Sequence, residues 1–238
     1  MQLLDLTHAD LPSNLALDEA LLLEAEAGRV GPVLRLWEWP TNAVVLGAAG
    51  SLAIDVNEAD CRAAGVPIAR RSSGGGTVLI GSGCLLYSVV LPYDLAPRLN
   101  EILPSIRYVL SRLANALRAI VPEVAFDGIS DLTLQGRKFS GNSQQRKRRY
   151  FLHHGTLLCG FELDHVGRFL NAPERSPDYR QGRIHSDFLT NLPCTAEEIR
   201  HRLVKEWAPT GSLSEVPWKV TQELVAEKFG REEWVRRR

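Results

Sequence analysis

The chain has 238 residues, 45% of them hydrophobic and 24% charged, a balance that excludes collagen-like, coiled-coil and wholly disordered architectures. Its 28 basic residues equal its 28 acidic ones, so no net field draws it to nucleic acid or an acidic membrane surface. No apolar run approaches the roughly 18 residues of a membrane helix, and Met1-Gln2-Leu3-Leu4-Asp5 lacks the basic and apolar parts of a secretion signal.

In chain order, Ser13–Leu23 reads as a helix capped by Ser13, and Val33–Trp39 as a strand with one wet face that ends at Pro40. Val44–Gly47 is a short buried strand, and Asn57–Ala64 a short helix stopped by Gly65. From Pro67 to Pro92, β-branched and aliphatic residues flank two glycine clusters, the pattern of an antiparallel meander with glycine turns. Leu103–Val121 has helical period, with Pro104 tolerable in the first turn. Strands are expected at Asp131–Leu134 and Tyr150–Cys159, and helices at about 195–207 and 216–229. Strict strand–helix alternation is absent, so the expected class is α+β: a mixed, largely antiparallel sheet flanked by helices, in a single domain over 1–238 with a helical segment from about 195. Cys61, Cys84, Cys159 and Cys194 form no CxxC pair and no zinc rhythm, which predicts free thiols in a reducing cytoplasm.

Two clusters carry the chemistry. In Arg70-Arg71-Ser72-Ser73-Gly74-Gly75-Gly76-Thr77-Val78-Leu79, three glycines bare their amides and permit positive φ, so the loop can cup phosphate oxygens or serve simply as a hairpin turn. A strand-like run follows instead of a helix, which excludes both the P-loop and the dinucleotide fingerprint. Arg70 and Arg71 point to opposite faces of a strand, so one can reach an anion over the glycines.

The second cluster runs from Gly128 to Arg149. Asp131-Leu132-Thr133-Leu134 alternates, Gln135-Gly136 turns, and Lys138 starts the returning strand. Six of the 14 residues from 136 to 149 are basic, yet no aromatic interleaves 140–149 to stack bases, which argues for a solvated loop over a nucleic-acid site.

Together these stretches resemble the lipoate–protein ligase family, whose core resembles that of biotin ligases and class II synthetases. The resemblance rests on Arg70-Arg71-Ser72-Ser73-Gly74-Gly75-Gly76, on Asp131-Leu132 followed by Lys138-Phe139-Ser140-Gly141-Asn142-Ser143-Gln144, and on His154-Gly155-Thr156-Leu157-Leu158. Weaker matches at Asn14–Glu19 and Leu189–Leu192 extend it over about 10–195, while the Gly-Arg-Gly-Arg of biotin ligases is missing. It implies ATP-dependent activation of lipoate or octanoate to an acyl-AMP, followed by transfer to a lysine of a lipoyl carrier domain. Arg71, Ser73, Gly74, Gly75, Gly76, Thr77, Val78 and Leu79 would surround the nucleotide, with Arg71 steering the anion. Lys138 would bridge the acid's carboxylate and the α-phosphate, Asp131 would hold Mg²⁺, and His154 and Gly155 would border the acid. His153 and His154 also fit histidines hydrogen-bonded inside a sheet.

Octanoyltransferases resemble the same core but use a cysteine thioester in place of ATP. One class carries its cysteine where this chain reads Ala125-Phe126-Asp127; the other has a Pro-Cys step, echoed here by Pro193-Cys194. Transfer through Cys194 therefore stays open, as does a non-catalytic nucleotide- or acyl-carrier-binding module. Only about 45 residues follow Leu192, where longer ligases carry an accessory domain, so a separate accessory subunit is an expected partner.

Overall fold

Apolar alternation in the central strands builds a seven-stranded sheet, and the computed structural model describes residues 1–174 and 176–237. The elements in order are β1 (Gln2–Asp5), α1 (Leu11–Glu26), β2 (Val33–Glu38), β3 (Ala43–Leu46), α2 (Leu52–Asp55), α3 (Glu58–Ala64), β4 (Ile68–Arg70), β5 (Val78–Ile80) and β6 (Cys84–Pro92). Then follow α4 (Ile102–Arg118), β7 (Val124–Asp127), β8 (Asp131–Leu134), β9 (Arg137–Arg146), β10 (Tyr150–Leu158), α5 (Asp164–Phe169), α6 (His185–Phe188) and α7 (Ala196–Trp207). The final elements are α8 (Trp218–Leu224), a π-helical turn (Val225–Phe229) and α9 (Glu232–Val235).

The large sheet runs β1-β2-β6-β10-β9-β8-β7, and only the β1/β2 pair is parallel. This is the expected mixed, largely antiparallel α+β architecture. Helices α4 and α7 bury Val109, Leu113, Leu117, Ile199 and Leu203 against one face, which includes Leu34, Val89 and Phe151. Helix α1 packs Leu17 and Leu21 on the opposite face, against Val33, Val90 and Leu152. Each such side chain withdrawn from water contributes about 1.5–3 kcal/mol before chain entropy is charged against it.

Several local expectations change. Asp10, not Ser13, caps α1: its carboxylate accepts from the Ser13 amide at 2.8 Å, and Pro12 fits the first turn. Strand β2 has no wet face, because Arg35 is fully buried and paired with an acid on α1. The meander is absent as well. Strands β4 and β5 lie on opposite flanks of β3, in a separate sheet of order β4-β3-β5, so the triple-glycine segment is a crossover over that sheet and not a hairpin turn. The basic stretch is part of strand β9 as far as Arg146, and the helix expected over 216–229 widens into a π turn at its end. Strands β1 and β7, too short and irregular to show a period, complete the two edges.

Candidate active site

Backbone register brings the two clusters together. Asp131 on β8 pairs with Gly141 on β9, and the register slips between Leu132 and Thr133, so that β9 bulges at Phe139. A bulge re-aims neighbouring side chains, and here Lys138 Nζ comes to lie 2.8 Å from Asp131 Oδ1. The ammonium passes over Gly141, where any Cβ would sit 2.8 Å from Nζ. A Cβ there would have to displace the end of the Lys138 side chain. Asp131 Oδ2 accepts from Tyr179 at 2.7 Å, and burial together with Asp131 keeps that phenol protonated.

Gly155 on β10 faces Asn142 on β9. A Cβ at 155 would lie 2.0 Å from Asn142 Oδ1, so the bare backbone lets Asn142 lie flat across it. Asn142 is fixed by the Tyr87 hydroxyl, which donates to Oδ1 at 2.5 Å, and by its own amide, which donates to Ser130 O at 2.8 Å.

The glycine crossover is wound around Arg71. Its guanidinium donates to Ser73 Oγ, Val45 O, Gly74 O and Gly76 O, and burial alone lowers its pKa to about 10. Gly75 has φ +81°, and its carbonyl occupies the space a Cβ of Gly47 would need. Ser143 Oγ also donates to Gly74 O, at 2.9 Å. With the carbonyls turned inward, the amides of Gly74, Gly75 and Gly76 make no hydrogen bond to any other described residue. Arg71 therefore holds the loop's shape with the donors that had been expected to steer the anion.

Beneath the loop runs a polar chain. Ser73 Oγ and His154 Nε2 are 2.6 Å apart, and His154 Nδ1 is 2.9 Å from Asp18 Oδ2. Asp18 also accepts from Ser88 and from Arg35, whose guanidinium further reaches Asn14 O and Asn14 Oδ1. Burial would raise the Asp18 pKa, but Arg35, His154 and Ser88 outweigh it and hold the carboxyl below its ordinary value. Asp18 is thus held as a carboxylate, while burial lowers the Arg35 pKa against the opposing pull of that carboxylate.

These groups border one cavity of about 190 Å³. Lys138, Asp131, Asn142 and the glycines 75 and 76 line its polar end, while Leu15, Trp37, Val45, Ile80 and Leu86 supply apolar wall. Thr77, Val78, His154, Gly155 and Arg71 also face it. Three expected residues do not: Ser73 is buried beneath the loop, Gly74 is tied by its carbonyl, and Leu79 packs in the core beside β3. Sequence reasoning missed Asp18, Arg35, Tyr87, Asn142 and Tyr179 as parts of the site. Asp18 lies in the weakly matching Asn14–Glu19 stretch, and Arg35 is flanked on both sides by leucines in β2; Tyr179 gave no signal.

No cluster of three His, Cys, Asp or Glu side chains suited to a metal occurs among the described residues. The donor set around Asp131 offers a Mg²⁺ ion one carboxylate, whose Oδ1 already meets Lys138 and whose Oδ2 already accepts from Tyr179. It fits an ion that brings its remaining ligands with a polyphosphate, not a resident one. No thiol lines the cavity. Cys194 packs against the helical face of the sheet, where burial pushes its pKa up to about 11.

The lipoyl protein ligase A/B catalytic domain matches residues 10–208. An octanoyltransferase LipM of Symbiobacterium thermophilum is 28% identical, covering 98% of this chain and 97% of its own length; that of Macrococcus caseolyticus is 26% identical with the same coverage. A Mycoplasma pneumoniae protein named "Probable lipoate-protein ligase A" is 28% identical over 93% of this chain and 67% of its own. Among solved structures, the bi-partite lipoate protein ligase of Thermoplasma acidophilum superposes with a TM-score of 0.83 at 22% identity, over 99% of this chain and 95% of that one. A lipoate-protein ligase A bound with ATP gives 0.82 at 23% identity, over 99% and 98%. These two likenesses establish the fold.

Proposed function

Because the chain belongs to the lipoyl protein ligase A/B catalytic-domain family, we propose that it is a lipoate–protein ligase. It joins lipoate or octanoate to ATP as an acyl-adenylate, releases pyrophosphate, and passes the acyl group to a lysine amine of a lipoyl carrier domain as AMP leaves. The observation that carries this reading is the Lys138 ammonium and the free amides of Gly75 and Gly76 bordering one cavity that has an apolar wall and no thiol.

In the first step the acid's carboxylate attacks the α-phosphorus, and negative charge grows on the phosphoryl oxygens. Lys138, held by Asp131, places a fixed cation there, which helps the transition state more than the ground state. The glycine amides bind the phosphate oxygens, and Thr77 and Val78 border the nucleotide. Leu15, Trp37 and Leu86 take the tail, at about 0.8 kcal/mol per buried methylene. Asp131 would hold the Mg²⁺ that accompanies the nucleotide and neutralises phosphate charge. In the second step Lys138 stabilises the acyl oxygen. His154 and Gly155 border the acid: His154 carries the Ser73–Asp18 chain and Gly155 gives Asn142 its place. The residues act within a single catalytic unit, and an accessory subunit is its expected partner, in parallel with the bi-partite T. acidophilum ligase.

Octanoyl transfer without ATP is the second reading, and the curated LipM relatives, aligned over nearly their full length, favour it. It requires a thiol nucleophile. Cys194 lies outside the cavity, and Ala125-Phe126-Asp127 stand where one transferase class has its cysteine. ATP–pyrophosphate exchange dependent on lipoate, undiminished in Cys194→Ser, supports the ligase. No exchange, with octanoyl transfer from an acyl carrier abolished by Cys194→Ser, establishes the transferase. Nucleotide or carrier binding without either turnover leaves a binding module.

A further inference from the structure

The last helical segment reaches the glycine crossover from behind along two separate lines. On the first, Arg70, fully buried at the end of β4, donates to Trp234 O at 3.0 Å and to Val235 O at 2.6 Å. The same guanidinium donates to Gly47 O and Gly50 O, and Gly47 is the residue on which the Gly75 carbonyl rests. Trp234 returns the contact, its indole N–H donating to Arg70 O at 2.9 Å. On the second line, Lys228 Nζ lies 2.6 Å from Glu19 Oε2; Glu19 Oε1 accepts from Gln145 Nε2, and Gln145 Oε1 accepts from Ser72 Oγ at 2.5 Å. Both lines end within the Arg70–Gly76 stretch.

The segment is shaped for this. The π turn closes with Gly230 N donating to Val225 O, a close approach that a Cβ at 230 would obstruct at 2.9 Å. Single π turns recur at functional positions because they rotate the following side chains. Lys228 and Arg237 both lie against the Trp234 ring, 4.5 and 3.9 Å from its centroid, and Arg237 also donates to Ala48 O. Ala48 N in turn donates to Ser73 O.

We infer that residues 218–237 form an intramolecular strap whose two contacts, Arg70–Trp234 and Lys228–Glu19–Gln145–Ser72, position the glycine crossover for the nucleotide. This rests on the nucleotide reading of that loop. Glu19, Lys228 and Trp234 are positioning residues, since none lines the cavity.

Lys228→Met removes the ion pair to Glu19, and Trp234→Phe removes the indole hydrogen bond to Arg70 O while leaving the Arg70 bonds to the Trp234 and Val235 carbonyls; both keep most of the buried surface. Measured on the full chain with lipoate and a carrier domain, each should raise KM for ATP about five- to tenfold and leave kcat and KM for lipoate within twofold. Lys228→Arg should restore the wild-type value. Without any nucleotide, amide hydrogen exchange over 72–78 should quicken in both variants while exchange in β6 and β10 does not. The strap is overturned if exchange over 72–78 stays unchanged, or if kcat and both KM values worsen together in proportion to a fall in Tm. A wild-type chain that binds no ATP refutes the nucleotide reading instead, and the exchange measurement still decides the strap.

Discussion

Lys138 Nζ and Asp131 Oδ1 stand 2.8 Å apart across a bulged strand pair, and the space the ammonium uses is the space Gly141 leaves. The cation is thus placed by backbone register and by one missing side chain, with the carboxylate as its stay. Lys138→Gln should lower kcat for adenylate formation by a factor on the order of 10²–10³, equivalent to about 3–4 kcal/mol. Gly141→Ala, which leaves the lysine in the chain but displaces its end, should cost at least tenfold. Single-turnover pyrophosphate release measures both, with Tm as the folding control.

Glycines of the site divide by what surrounds them. A Cβ at 155 would lie 2.0 Å from Asn142 Oδ1, whereas one at 74 or 76 would meet nothing within 4 Å. Gly155→Ala is therefore expected to destabilise the fold by roughly 1–3 kcal/mol through overpacking. Gly76→Ala should leave denaturant stability within about 0.5 kcal/mol yet weaken nucleotide binding, because the new methyl stands where phosphate would approach. Urea titration and calorimetric titration with ATP separate the two effects.

Asp18 and Arg35 form an ion pair almost wholly out of water. Breaking one side leaves the other charge stranded, so Asp18→Asn should cost roughly 3–5 kcal/mol. The double variant Asp18→Asn with Arg35→Met should lose less than the sum of the single losses. Chemical denaturation of the four proteins checks the coupling.

His153 is buried with Nδ1 against the Gln144 amide, and burial together with neighbouring His154 lowers its pKa to about 3 from an ordinary 6.5. Between those values the unfolded chain binds a proton that the folded chain refuses. Its contribution to stability is therefore complete above pH 6.5 and disappears progressively on acidification toward pH 3, by at most roughly 4–5 kcal/mol. His153→Gln should flatten the fall in Tm between pH 7 and pH 4.5.

The grouping of residues was legible because it sits in contiguous motifs with fixed spacing: Lys138, Asp131, Gly75 and Gly76 border one cavity, whereas Gly74 does not. Arg71 borders the cavity, but a one-dimensional reading sees its charge and not the four oxygens of its own surroundings that accept from it. The crossover was read as a hairpin because glycines between two short β-branched runs look alike whether the strands are neighbours or are separated by a third. Asp18 and Tyr179 act from distant segments through tertiary contacts that leave no local period. Only the wet face of β2 failed for an energetic reason: Arg35 is buried because Asp18 offsets the loss of its hydration.

Since β4 and β5 flank β3, the seven residues 71–77 must cross about two strand spacings, some 9–10 Å, although extended they would reach about 23 Å. The surplus length lets the crossover change in size without disturbing the strands at either end. Lengthened versions should be tolerated by the sheet, whereas removal of the Arg71 anchor would set the whole arch loose.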